Sequence, residues 1–130
     1  MEVQWIDIPN IKDPRGNLAV LENSKLPFEI KRVYYLYDVP SGSQRGGHAL
    51  KTTYQLLIPL SGSFEIFLKN VSGEVSILMN NPTKGLLINP ITWREMLNFS
   101  AGAVCLVLAS KEYREEDYIR ERKLFNQLLT

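Results

Sequence analysis

The feature that most constrains this chain is its punctuation. Short runs rich in Val, Ile, Leu, Tyr and Phe recur along it, and clusters of Gly, Pro, Asn and Ser separate them. That rhythm belongs to short strands joined by tight connections. The runs are "VQWIDI", "LAVLE", "IKRVYYLYDV", "HALKTTYQLLIPL", "SFEIFLK", "EVSILM", "KGLLINP", "TWREMLNFS" and "AGAVCLVLAS". The Val- and Tyr-rich third run suits a pleated, half-buried surface. The continuous apolar character of the last fits a strand buried on both faces. "SG" at 61–62 and "NVSG" at 70–73 read as hairpin turns. The segment "EEDYIRERKLFNQLL" is expected to be helical, with Leu124/Leu128 and Phe125/Leu129 as i,i+4 pairs and acids at its start. The expected class is all-β: an antiparallel jelly-roll barrel with a short C-terminal helix, whose open end can hold a small ligand.

One domain, residues 1–130, accounts for the length. At 45% hydrophobic residues the chain can bury a sizeable core without disulfides. Its net charge of +1 gives no electrostatic case for nucleic acid. The single cysteine, Cys105, sits in an apolar run and reads as a buried structural thiol, not half of a disulfide. The N-terminal stretch lacks the basic start and apolar run of a signal peptide. No run reaches the length of a membrane span. A soluble, cytoplasmic protein is the expectation. There is no Walker-type glycine loop, no dinucleotide fingerprint and no Cys/His cluster for zinc.

The only histidine, His48, lies in "RGGHALK" at 45–51. Strand alternation puts His48, Leu50 and Thr52 on one face, and Ala49 and Lys51 on the other. A lone histidine is as compatible with a structural role as with a functional one. The adjoining Arg45, Gly46 and Gly47 favour function, because paired glycines admit a ligand or another backbone closely. In "ITWREM", Trp93 and Glu95 share one face and Arg94 takes the other, so Arg94 or Trp93 faces a pocket, not obviously both. The plain alternative is a core tryptophan beside a solvated ion pair. "DPRGN" is most simply a turn, from which Arg15 could still reach a pocket. Tyr34, Tyr35 and Tyr37 furnish two faces with phenols, for which core packing is the simpler reading.

The spacing from Gly42 through His48 and Gln55 to Gly62 resembles the first cupin motif, with Leu50 and Gln55 where that motif carries its second histidine and its glutamate. Gly85, Pro90 and Asn98 resemble the skeleton of the second motif without its histidine. With those ligand positions changed, no metal is expected. "DPRGNL", "PFEIKRVYYLYDV", "RGGHALK", "QLLIPLSGS", "GLLINPITWREM" and "VLASKEYREEDYIR" together resemble the cupin-type sugar 3,4-ketoisomerases, from about residue 5 to residue 125.

That resemblance implies a cofactor-free homodimer converting dTDP-4-keto-6-deoxyglucose to the 3-keto isomer for deoxyamino-sugar and surface-glycan synthesis. It implies His48 as proton carrier, Arg94 or Tyr37 beside the oxyanion, and Arg15, Arg45, Lys51, Trp93 and Asn98 as substrate-binding candidates. The family's usual stretch carries a second histidine where this chain has Leu50. An arginine at position 94 resembles members whose product keeps the gluco configuration. The alternative is a sugar-nucleotide-binding cupin that lost catalysis with the second histidine.

Overall fold

The computed structural model describes residues 1–130 as two antiparallel sheets facing each other. The strands are β1 (Gln4–Asp7), β2 (Asn10–Ile11), β3 (Leu18–Ala19), β4 (Arg32–Leu36), β5 (Arg45–Leu50) and β6 (Gln55–Ser61). They continue with β7 (Phe64–Asn70), β8 (Gly73–Met79), β9 (Lys84–Ile88), β10 (Trp93–Leu97), β11 (Val104–Ala109) and β12 (Tyr118–Ile119). One helix, α1 (Arg122–Leu128), follows. One sheet runs β1-β9-β6-β11-β4, the other β12-β5-β10-β7-β8, and β2-β3 is a separate hairpin. This is the jelly roll with a short terminal helix that the punctuation implies.

The core between the sheets follows from period-two alternation. Phe64, Ile66 and Leu68 of β7 meet Leu57, Leu86, Ile88, Cys105 and Val107 of the opposite sheet. The outer faces are covered too. The stretch from Ile8 to Ile30 packs over Leu56, Ile58, Leu87 and Leu108, and α1 lays Phe125 against Ala49, Trp93 and Ile119. Burial on both sides explains why "QLLIPL" and "VCLVLA" read as unbroken apolar runs. Cys105 is fully buried in this core, and burial pushes its thiol up to about 12.

Three expectations need correction. "SG" at 61–62 does turn the chain, with Gly62 at φ 66°, but β6 and β7 belong to different sheets, so the turn is a corner and not a hairpin. A side chain at Gly62 would stand 2.9 Å from the Ala103 Cα, so that corner admits only glycine. "HALKTTYQLLIPL" is two strands, broken at Lys51–Tyr54 where the chain changes sheets. The helix begins only at Arg122; Glu115–Asp117 form a 3₁₀ turn and Tyr118–Ile119 a strand paired to β5.

Candidate active site

The barrel's inner lining is apolar along most of its depth and polar at one end. Strand β4 makes the first wall of that end. Arg32, Tyr34 and Leu36 face inward, while Val33 and Tyr35 are more than half exposed on the outside. Strand β5 supplies Arg45, Gly46, Gly47 and His48. The third wall, Tyr113, Tyr118 and Arg120, comes from the segment ahead of α1. With Gln44 and Met96 these residues enclose a cleft of about 480 Å³.

The third wall is held in place by a buried carboxylate. Asp117 Oδ1 accepts the Thr52 backbone N–H at 2.9 Å and its hydroxyl at 2.7 Å, and Oδ2 accepts the Thr53 hydroxyl at 2.5 Å. Burial by itself would raise the Asp117 carboxyl, but these three bonds outweigh it and hold it below the usual carboxylate range. The clasp fixes the register Tyr118↔Leu50 and Ile119↔Ala49, which swings Tyr118 over the His48 ring at 4.9 Å between centroids.

Beside His48, β5 departs from regular pairing. His48 opposes Arg94 of β10, and the register shifts before Arg45 opposes Met96. Gly46 lies in this irregular stretch at φ 74°, where a Cβ would meet the Met96 Sδ-methyl at 2.9 Å. His48 is 9% exposed and its Nε2 has no hydrogen-bond partner. Burial, then the positive charges of Arg94, Arg120 and Arg32, push its pKa down to about 3. At neutral pH the imidazole is therefore uncharged, with one ring nitrogen able to take a proton.

Arg94 is 1% exposed beneath the cleft. Its Nη1 donates to Gln55 Oε1 and its Nη2 to the Thr92 carbonyl at 3.4 Å, while Nε has no partner. Burial lowers its pKa to about 10, against the opposing pull of Tyr34 and Tyr118, so it remains cationic. Gln55 Nε2 in turn donates to Tyr34 Oη at 3.2 Å. Burial raises the Tyr34 phenol, so it stays protonated at neutral pH. At the rim, Arg32 donates to Tyr118 Oη at 3.1 Å and lies over the Tyr34 ring at 4.5 Å. Arg120 stacks 4.3 Å above Tyr118 and pairs with Glu115 at 2.7 Å.

Chemically, the cleft offers a neutral base and a protonated phenol, backed by the buried Arg94 guanidinium behind its lining. Three arginines in the walls match an anionic ligand such as a diphosphate. No three His, Cys, Asp or Glu side chains converge anywhere in the fold, and no helix is long and apolar enough to cross a membrane.

Of the residues singled out in the sequence, the structure brings His48 and Arg45 into the cleft with Arg94 under it. It does not bring the others there. Tyr37 is 62% exposed and lies against Tyr35, rings tilted, in a separate depression beyond Arg45, because strand alternation turns it outward with Tyr35. Arg15 sits at the β2–β3 hairpin tip, its guanidinium 2.8 Å from Asp13. Trp93 faces α1, packed on Phe125 with its Nε1 donating to Glu95 at 2.9 Å. Lys51 lines a shallow surface beside α1 with Leu124 and Leu128. Asn98 occupies an exposed left-handed turn after β10, φ 56°. The polar residues not anticipated as site members include Arg32, Tyr34, Gln55, Tyr113, Tyr118 and Arg120. The alternation Arg32–Tyr34–Leu36 in β4 carried a readable signal for the first two.

Residues 1–130 match the family described as FdtA: WxcM-like, C-terminal. A TDP-4-oxo-6-deoxy-alpha-D-glucose-3,4-oxoisomerase from Aneurinibacillus thermoaerophilus is 41% identical over 130 residues, 99% of this chain and 94% of the relative. The crystal structure of QdtA, a sugar 3,4-ketoisomerase from Thermoanaerobacterium thermosaccharolyticum in complex with TDP, superposes with a TM-score of 0.94 at 43% identity, covering 98% of this chain and 93% of that one. The WlaRB TDP-quinovose 3,4-ketoisomerase of Campylobacter jejuni gives a TM-score of 0.90 at 44% identity, covering 96% and 97%. A cleft built around one neutral histidine, on a fold shared along the whole chain with these enzymes, places this protein in the FdtA (WxcM-like, C-terminal) family.

Proposed function

We propose that this protein is an isomerase that converts TDP-4-keto-6-deoxyglucose to the 3-keto isomer, inside its arginine-lined cleft. The observation that carries the reading is the uncharged, unpartnered imidazole of His48 facing the cleft, with the buried Arg94 opposite it on β10. The 4-ketone acidifies the C3–H of the substrate. His48 takes that proton, and the electron pair moves to O4, which receives the Tyr34 phenolic proton. The result is a neutral enediol, an imidazolium and a tyrosinate, with Arg94 offsetting the negative charge. Tyrosinate then removes the O3 proton, the C3 carbonyl forms, and imidazolium protonates C4. Both groups return to their starting states, so one histidine suffices, and it works on a single face of the sugar.

Arg32, Arg45 and Arg120 are the residues proposed to hold the diphosphate. The gluco configuration at C4, favoured by Arg94 and by the 44% identity to the TDP-quinovose enzyme, requires C4 to take its proton from the face opposite His48, because H3 and H4 of a gluco sugar lie on opposite faces; return of the proton by His48 alone gives the galacto product, and the C4 configuration tells the two apart. A cytoplasmic location and a homodimer belong to the same reading, the latter supported by Val33, Tyr35 and Tyr37 exposed in a row along the edge strand β4 and just beyond its end. The test is incubation with TDP-4-keto-6-deoxyglucose in deuterated water, followed by NMR. The 3-keto isomer with deuterium at the exchanging carbon is the expected product. Binding of the nucleotide sugar with neither exchange nor turnover would instead establish the non-catalytic binding module.

A further inference from the structure

The buried chain Arg94–Gln55–Tyr34 has a direction, and the direction has a consequence for the chemistry. Arginine carries five N–H donors and no acceptor. The Gln55 group facing Arg94 must therefore be its carbonyl oxygen, which turns its NH₂ toward Tyr34. Tyr34 Oη consequently accepts from Gln55, and its own proton is left to point elsewhere. The open direction is the cleft that Tyr34 lines.

We propose that Gln55 is a positioning residue for the isomerisation: anchored by Arg94, it holds the Tyr34 phenol with its proton directed at the substrate. This rests on the 3,4-ketoisomerase reading. Two further observations support it. Gln55 is 1% exposed and does not line the cleft, so it acts through its two partners. Arg94 is a buried charge with no carboxylate partner; its companions are the Gln55 amide and the Thr92 carbonyl. A glutamate at position 55 would serve Arg94's stability better, since a buried guanidinium gains more from an anion than from an amide. A glutamate, however, accepts at both ends. It would draw the Tyr34 proton away from the cleft and cancel the Arg94 charge. An amide is the side chain of this length that accepts from Arg94 and donates to Tyr34 at once.

The experiment is Gln55→Glu, alone and combined with Tyr34→Phe, assayed for turnover of TDP-4-keto-6-deoxyglucose and for TDP binding by calorimetry. Gln55→Glu is expected to bind TDP within about three-fold of wild type and to lower kcat by roughly 10–100-fold, part of the full worth of a positioned acid. In the Tyr34→Phe background the same change is expected to cost several-fold less, because the hydroxyl it acts through is gone and only the loss of the Arg94 charge remains. Gln55→Met, which removes both hydrogen bonds at similar volume, provides the same cycle should the glutamate variant fail to fold. Wild-type kcat in Gln55→Glu, or an equal loss in both backgrounds, overturns the inference. An inactive wild-type protein overturns the ketoisomerase reading itself, and the role of Gln55 with it.

Discussion

His48 and Arg94 sit opposite each other across the β5–β10 ladder, and no acidic side chain pairs with either. A histidine so placed is kept neutral by burial and by positive charge. Because it is the only one in the chain, its imidazole NMR signals need no assignment. They are expected to stay those of the neutral ring from pH 8 to pH 5, since the folded pKa lies at about 3. The unfolded value is about 6.5. As pH falls below that, the unfolded chain takes up a proton that the folded chain refuses. The site's stability is therefore intact above about 6.5 and declines down to about 3, as unfolding midpoints across that window will show. Added TDP brings negative charge to the arginines and is expected to move the His48 titration upward.

His48→Asn removes the proton carrier and leaves the walls intact. TDP affinity is expected to remain within a few-fold by calorimetry. Isomerisation is expected to fall by about 10²–10⁴, with loss of solvent exchange at the sugar C3 position. Retained exchange in the variant would assign the base to another group.

Arg45 and Arg15 separate the cleft from the surface. Arg45→Ala is expected to weaken TDP binding by about 1.5–3 kcal/mol, the scale of a hydrogen bond to a charged group. Arg15→Ala should leave binding unchanged, because Arg15 lies exposed against Asp13 at a hairpin tip. Calorimetry on the two variants side by side checks both.

Asp117 holds the third wall, so its loss should register in stability and in binding together. Asp117→Ala removes three hydrogen bonds and is expected to cost about 1.5–3 kcal/mol in urea unfolding, with weaker TDP binding as Tyr118 and Arg120 come loose. The folded carboxyl is held below its ordinary value, so its contribution is complete above about pH 3.9, the unfolded value. It disappears as pH falls through the lower folded one.

How much of this could be read from residues alone depended on range. The strands were legible because alternation and turn residues act locally: "SFEIFLK" and "NVSG" specify β7 and its hairpin with β8 without outside help. His48 and Arg45 stood out because they adjoin glycines in one stretch. The segment 115–121 misled, since its charges and spacing suit a helix. What makes it extended is distant: the threonines at 52 and 53 and the edge of β5. Tyr34 and Gln55 were visible as residues but not as partners, because β11, far off in sequence, lies between their strands and only the folded sheet brings the two side chains together. The outward turn of Tyr37 is likewise set by which face of β4 meets the barrel.

The placement of Tyr113, Tyr118 and Arg120 has a consequence for the order of assembly. Every barrel strand, β1 through β11, precedes them in the chain. A polypeptide emerging in sequence can close its two sheets while the ligand cleft still lacks a side. The half-built cleft would show His48 to water, without the aromatic ring that later lies against it. Competence to hold a nucleotide sugar thus arrives after competence to fold, and one small carboxylate latch separates the two.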